Sequence, residues 1–302
     1  MTSLISTLFL FSVLIPTKLW YSPGQPILID VKAETPVTVT LTDFDGKPVL
    51  SQLDTKVTTP KQIDLAQLYA GLSAGCYLLS AVPDDKSKPF VGTPLVVEVR
   101  PDKAHNGATL VTHIEPLRYA EMETDAGKMT LAFYYDVAPN TVSNFQTLAE
   151  QGYFDGIGFH RIIPGFVVQG GDPLSLDVER AGTGGPGYTI NAEFNARPHL
   201  RGALSMARQG DEGEAQGRPA GYQAANSGSS QFFVCLDYAR TRALDGKYTV
   251  FGQVVDGDDT ITKLAATPTG PGDRPARPPM IRKITVKPVT AENNPYAKLP
   301  KK

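Results

Sequence analysis

"GFHRIIPGFVVQGGDP", residues 158–173, sets His160, Arg161, Gln169 and Asp172 in a run otherwise made of Ile, Phe, Val, Gly and Pro. On an extended strand, side chains two apart share a face and neighbours oppose. Val167 and Gln169 therefore share one face of "GFVVQG" while Phe166 and Val168 take the other, unless Pro164-Gly165 or the glycine pair bends the chain. Alternation alone does not gather the polar residues into one site.

Strands continue on both sides. Before the stretch, "KMTLAFYYD" alternates Met129, Leu131, Phe133 and Tyr135 with Thr130, Ala132 and Tyr134, which gives a strand with one larger, more apolar face. In "APNTVSNFQTLAEQGYFDG", Val142, Phe145, Leu148 and Ala149 fall at helical spacing, with Pro139 at the start and Gly152 to end the helix. After it, "GALSMA", "SQFFVCL", "YTVFGQVV" and "MIRKITVK" read as strands, and "DDTITKLAAT" as a second helix with Asp258 or Asp259 as its cap. So many strands with two helices predict a closed barrel, because closure removes exposed edges.

Residues 16–105 carry short alternating runs, "PILIDVKA", "VTVTLTDFDGKPVL", "CYLLSAVP" and "PLVVEVR", broken by turns such as Asp45-Gly46. They predict a small β-sandwich-like domain. Residues 106–116 read as a linker and residues 290–302 as a flexible tail without apolar periodicity. The apolar residues 1–15 fit a signal-peptide core or a buried strand, and compartment, cytoplasmic or exported, stays open at this level. "GLSAG", 71–75, matches the G-x-S-x-G pattern of serine hydrolases, yet a strand follows Ser73 where that chemistry needs a helix.

With 302 residues, 41% of them hydrophobic, the chain is long enough for two cores. A net charge of -2 with no long basic tract argues against nucleic acid as a partner. Cys76 and Cys235 stand alone, without CxxC or His at ligand spacing, so neither a disulfide framework nor a metal site is expected. "GTGGPG", 182–187, satisfies G-x-G-x-x-G, but Pro186 and a strand-like run follow it where a cofactor loop opens a helix.

"FHRIIPGFVVQGGD", then "GTGGPG", "LSMA", "GSSQFFVCL" and "LDGKYTVFGQV", in that order, resemble the cyclophilin family of peptidyl-prolyl cis-trans isomerases over residues 117–289. The resemblance implies a mainly β fold, an eight-stranded antiparallel barrel capped by two helices, with the site on its outer face. It implies an X-Pro isomerase acting on proline-containing polypeptides and assisting protein folding, with no metal or cofactor. It puts the catalytic arginine on Arg161, the pocket aromatic on Phe166 and the backbone-holding glutamine on Gln169. Substrate-binding positions fall on Val167, Ala207, Arg208, Gln231, Phe233, Leu244 and Tyr248. Phe232 and Phe251 read as barrel core, His160 as a structural hydrogen-bonding neighbour of Arg161, and Asp172 as structural support.

Four features depart from the pattern. Arg208 stands where many members carry Asn, and its charge suggests a preference for an acidic residue near the substrate proline. Ala243 stands where cyclosporin-binding members carry Trp, so weak cyclosporin binding is expected. Tyr248 replaces a His. Residues 209–229 form an unusually long segment, expected as a mobile surface loop beside the groove. The rival reading is a proline-peptide binding module or holdase with little turnover, and a partner of the amino-terminal domain is left unassigned.

Overall fold

The computed structural model describes residues 12–49, 55–58, 60–69, 71–85, 90–105 and 110–300. The chain divides into two compact units. The first holds the described residues up to Arg118 together with Pro288–Asn294, and the second holds Tyr119–Lys287 and the chain from Pro295 onward.

The second unit is built on one antiparallel sheet. In chain order its strands are β1 (Arg118–Thr124), β2 (Gly127–Phe133), β3 (Arg161–Ile163), β4 (Val167–Gly170), β5 (Ala203–Met206), β6 (Phe232–Cys235), β7 (Val250–Asp256) and β8 (Ile281–Pro288). Across the sheet they run β3-β4-β6-β5-β7-β2-β1-β8. The two ends come back together just before β3 and β8. There Phe159 N–H donates to Pro279 O (2.9 Å) and Ile281 N–H to Ile157 O (2.8 Å), around a Gly158–Met280 bridge. The chain leading into each edge strand is thus paired with the other, which shortens the open edge.

Helix α1 (Pro139–Glu150) begins with Pro139 in its first turn and is followed by Gly152 at positive φ. It buries Val142, Phe145, Leu148 and Ala149. Phe145 sits 5.0–5.8 Å from the rings of Phe133, Phe154, Phe232 and Phe251, so one side chain ties the helix to three strands of the barrel. Removing such a ring costs about 3–5 kcal/mol in comparable cores. Helix α2 (Asp258–Ala265) buries Thr260, Ile261 and Leu264. Its N-cap is Gly257, where the sequence pointed to Asp258 or Asp259. The Asp258 carboxylate instead accepts from Arg201 Nε at 2.6 Å, because a long cation from a neighbouring turn reaches it first.

The tail differs from its expected looseness. Pro295–Lys298 form a 3-10 turn, Phe133 N–H donates to the Tyr296 hydroxyl (3.1 Å), and Leu299 packs on apolar residues of the barrel. One aromatic and one leucine suffice to hold a single turn, which leaves no periodicity to read.

The first unit pairs a three-stranded and a six-stranded antiparallel sheet over a common core that includes Leu14, Ile29, Val39, Leu79 and Val97. Residues 110–116, expected as linker, form its strand Leu110–Pro116, paired along its length with Leu95–Pro101. Its alternation is genuine, with Ile114 buried and His113 and Glu115 outward, but polar outward residues and a closing proline disguise it in sequence. Ser73 lies just before the strand Gly75–Pro83, its hydroxyl 3.1 Å from that of Tyr77, so the hydrolase motif is a loop entering a strand. The 1–15 segment enters the described chain only at residue 12, and Leu14–Pro16 form a strand; residues 1–11 lie outside it. Among the described residues no helix is long and apolar enough to cross a membrane.

Candidate active site

Register assembles the site. The β3–β4 pairing sets Arg161 opposite Gln169, and the β4–β6 pairing sets Gln169 opposite Phe233. Residues directly opposite on paired strands project on the same face. A cation, an amide and an aromatic, far apart in sequence, therefore share one row. Arg161 is exposed, with Nη2 3.6 Å from Asp273 Oδ2 in a pair that is itself 45% exposed on both sides. Such surface pairs contribute about 0–1 kcal/mol, so the guanidinium remains available to a ligand.

Phe166 reaches the same region by a route that alternation forbids. Its N–H donates to Ile163 O (2.9 Å) across Pro164-Gly165, with Gly165 at φ 69°. Proline at the second position and a positive-φ glycine at the third suit a type II turn. The turn resets the strand phase, so Phe166 packs with Val167 on one apolar patch. Val167, Phe233 and Ala207 are buried there, and Phe166, Leu244 and Tyr248 pack against them half-buried. The Tyr248 ring meets Phe233 edge-on at 5.7 Å.

Beside this patch lies a cleft of about 590 Å³, bordered by Gln169, Gly182, Gly184, Ala207, Arg208 and Gln231. Gln169 Nε2 donates to Gln231 Oε1 (3.1 Å), and Gln231 Nε2 donates to the carbonyls of Gly182 (3.0 Å) and Gly184 (2.8 Å). The "GTGGPG" stretch is thus a turn that fixes a glutamine, and no helix follows it. Its seat is the fully buried Asp172, whose carboxylate accepts from Leu174 N–H (2.7 Å) and from Gly182 N–H. A Cβ on Gly184 would stand 2.1 Å from Asp172 Oδ1, so only glycine fits there.

His160 is buried, and neither ring nitrogen hydrogen-bonds to protein, in contrast to the hydrogen-bonding role expected of it. Burial pushes its pKa below the ordinary value, against the pull of Asp172, and keeps the ring neutral.

One polar group was not singled out in the sequence. His199 is fully buried, stacks against Phe233 (6.1 Å, 15°), and reaches Asp245 Oδ1 through Nδ1 (2.8 Å) and Ser205 Oγ through Nε2 (3.0 Å). The order Ser-His-Asp resembles a nucleophilic triad, but Ser205 is fully buried, with its hydroxyl also within 3.1 Å of Thr249 O. The group is a strut. It holds Phe233 from behind and Asp245, the neighbour of Leu244, from the side. A lone histidine in "RPHLRG" carries no sequence signal for this. Burial raises the pKa of the Cys235 thiol, which leaves it protonated and inert.

Arg208, whose charge suggests a preference for acidic peptides, is already paired within the chain. Its side chain is only 3% exposed, paired with Glu214 at 2.6 Å. Residues 209–229, expected as a mobile loop, contain the helical turns Glu212–Ala215 and Tyr222–Ala225 and are tied down by Gln209 N–H donating to Ser227 Oγ (2.7 Å).

Residues 119–286, more than half of the chain, match the family model of the cyclophilin type peptidyl-prolyl cis-trans isomerases. The chain belongs to the cyclophilin family. Its barrel is similar to a peptidyl-prolyl cis-trans isomerase of Synechococcus elongatus, 45% identical over 46% of this chain and 81% of that protein. An isomerase of Schizosaccharomyces pombe is 41% identical over 52% of this chain and 92% of its own length. Isomerase B of Bacillus subtilis is 43% identical over 44% and 80%. These matches make the cyclophilin barrel of this chain an X-Pro isomerase.

Proposed function

We propose that the apolar patch of Phe166, Val167, Phe233, Leu244 and Tyr248 receives the prolyl ring of a polypeptide and that Arg161 acts on the bond before it. The observation that carries this reading is the row Arg161–Gln169–Phe233, which puts a permanent cation at the rim of an apolar slot.

Rotation about a peptide bond faces a barrier of roughly 18–20 kcal/mol, because the nitrogen lone pair is delocalised into the carbonyl. In the twisted transition state that lone pair returns to the nitrogen, which becomes a hydrogen-bond acceptor. A guanidinium N–H aimed at it stabilises the twisted state and has little to grip in the planar one. A charge-assisted hydrogen bond of about 1.5–3 kcal/mol, made only there, accelerates rotation roughly ten- to hundred-fold. Arginine keeps its charge at any working pH. No proton moves, so neither His160 nor the His199 strut is asked to titrate.

Gln169, Gln231 and the backbone at Ala207 and Arg208 hold the flanking peptide, and fixing it lets slot and cation act on a single torsion. The substrates are proline-containing polypeptides, and the activity assists their folding. The amino-terminal β unit tethers or positions the isomerase through a partner that pull-down with the full chain would identify.

Arg161→Ala is the test, read by isomer-specific proteolysis of an X-Pro peptide and by peptide binding. The expected result is a ten- to hundred-fold loss of kcat/KM with Kd changed by less than about twofold. A wild type that binds the peptide without accelerating isomerisation would establish the binding-module reading instead.

A further inference from the structure

Arg208 borders both the cleft and the slot, yet its charge is spent internally. Nη2 and Nη1 donate to the two carboxylate oxygens of Glu214 at 2.6 and 2.9 Å. Nη1 also donates to Gln209 O (2.9 Å) and Nε to Lys247 O (3.2 Å). The guanidinium carbon lies 4.3 Å above the centre of the Tyr248 ring, which is a wall of the slot. A planar fork with two carboxylate bonds on its edge and a ring on its face has one allowed orientation.

Glu214 comes from the inserted segment, on a turn capped by Asp211. The two Asp211 oxygens accept from Gly213 N–H (2.7 Å) and Gly221 N–H (2.8 Å), which closes the segment on itself and presents Glu214 to the groove. We infer that Glu214 is a positioning and specificity-determining residue: it pins Arg208 over Tyr248 and neutralises it, so that the groove is indifferent to acidic residues beside the substrate proline. This rests on the isomerase reading of the slot. The segment is then a strap whose presence sets which peptides the groove accepts.

Glu214→Gln keeps the size and removes the charge. The assay compares two X-Pro peptides that differ only in Glu or Gln two residues before the proline, reading both kcat/KM and Kd at low and high salt. For wild type the ratio between the peptides is near one and insensitive to salt. For Glu214→Gln the freed guanidinium favours the Glu peptide by about fivefold at low salt, and the preference fades as screening grows. In Arg208→Gln/Glu214→Gln the ratio returns to one. Asp211→Asn, which loosens the turn without touching the ion pair, gives an intermediate ratio and serves if Glu214→Gln does not fold. A merely structural role would alter both peptides alike, so an unchanged ratio in these variants overturns the inference. A wild type that binds both peptides equally without turnover would fail the isomerase reading and leave the charge argument readable in Kd.

Discussion

Asp172→Asn separates architecture from chemistry at the most conspicuous acid of the site. The carboxylate is fully buried and accepts from Leu174 N–H at 2.7 Å and from Gly182 N–H. An amide has one oxygen, so one of these bonds survives, while the new NH2 faces the other donor with nothing to accept its hydrogens. Losing one charge-assisted bond and stranding a buried N–H costs about 2–4 kcal/mol. At about 2–4 °C per kcal/mol for a unit of this size, the barrel's Tm falls by about 4–16 °C. The turn at Gly182–Gly184 loses its seat, and its carbonyls no longer fix Gln231, which holds Gln169. KM therefore rises while kcat changes less than about threefold, because Arg161 and the slot stay in place. Differential scanning calorimetry and isomerisation kinetics below the new Tm read both effects. A variant with unchanged Tm and KM but a large loss of kcat would mean that the carboxylate takes part in the chemistry, and this reasoning would be wrong.

Acid stability gives a second check. His160 and His199 are both held below their ordinary pKa by burial, so the folded barrel keeps them neutral while the unfolded chain protonates them. The stability from neutral burial is complete above the unfolded-state value of about 6.5 and is lost as pH falls below it. Tm should decline as pH falls below about 6.5, and less steeply in His160→Gln; a flat Tm on acidification from there would contradict it. Ala243 is exposed and precedes Leu244 of the slot, and Ala243→Trp should tighten cyclosporin binding by about tenfold through stacking, measured by calorimetry, with an unchanged Kd opposing the argument.

The sequence points to candidate site residues more readily than to their geometry. Arg161, Gln169 and Phe233 were named from ordered motifs, but their common row depends on β3–β4–β6 register, which no single strand contains. Phe166 looked misplaced by alternation because the phase change sits in a two-residue turn. The pairing of the Arg208 charge is hidden for a different reason. Its partner lies in an insertion with no repeat or periodicity, and an arginine's effect on a groove depends on whether a carboxylate has already reached it. His199 escaped because a buried polar strut is defined by its partners, Ser205 and Asp245, and these come from two other segments. Strand Leu110–Pro116 of the first unit and the turn at Tyr296 of the second leave little trace in sequence for separate reasons: polar outward residues in one case, a single anchoring ring in the other.

The cross-strand row also has a consequence for biosynthesis. The slot does not exist until residues 232–235 have paired with residues 167–170, a contact that spans more than sixty positions along the chain. Such non-local pairings form late and slowly. During synthesis the cation, the turn and the first glutamine emerge well before the ring that completes the slot. The enzyme cannot accelerate the prolyl steps of its own early folding, so those of its 25 prolines that must settle before β6 docks do so at the uncatalysed rate or with help from another molecule.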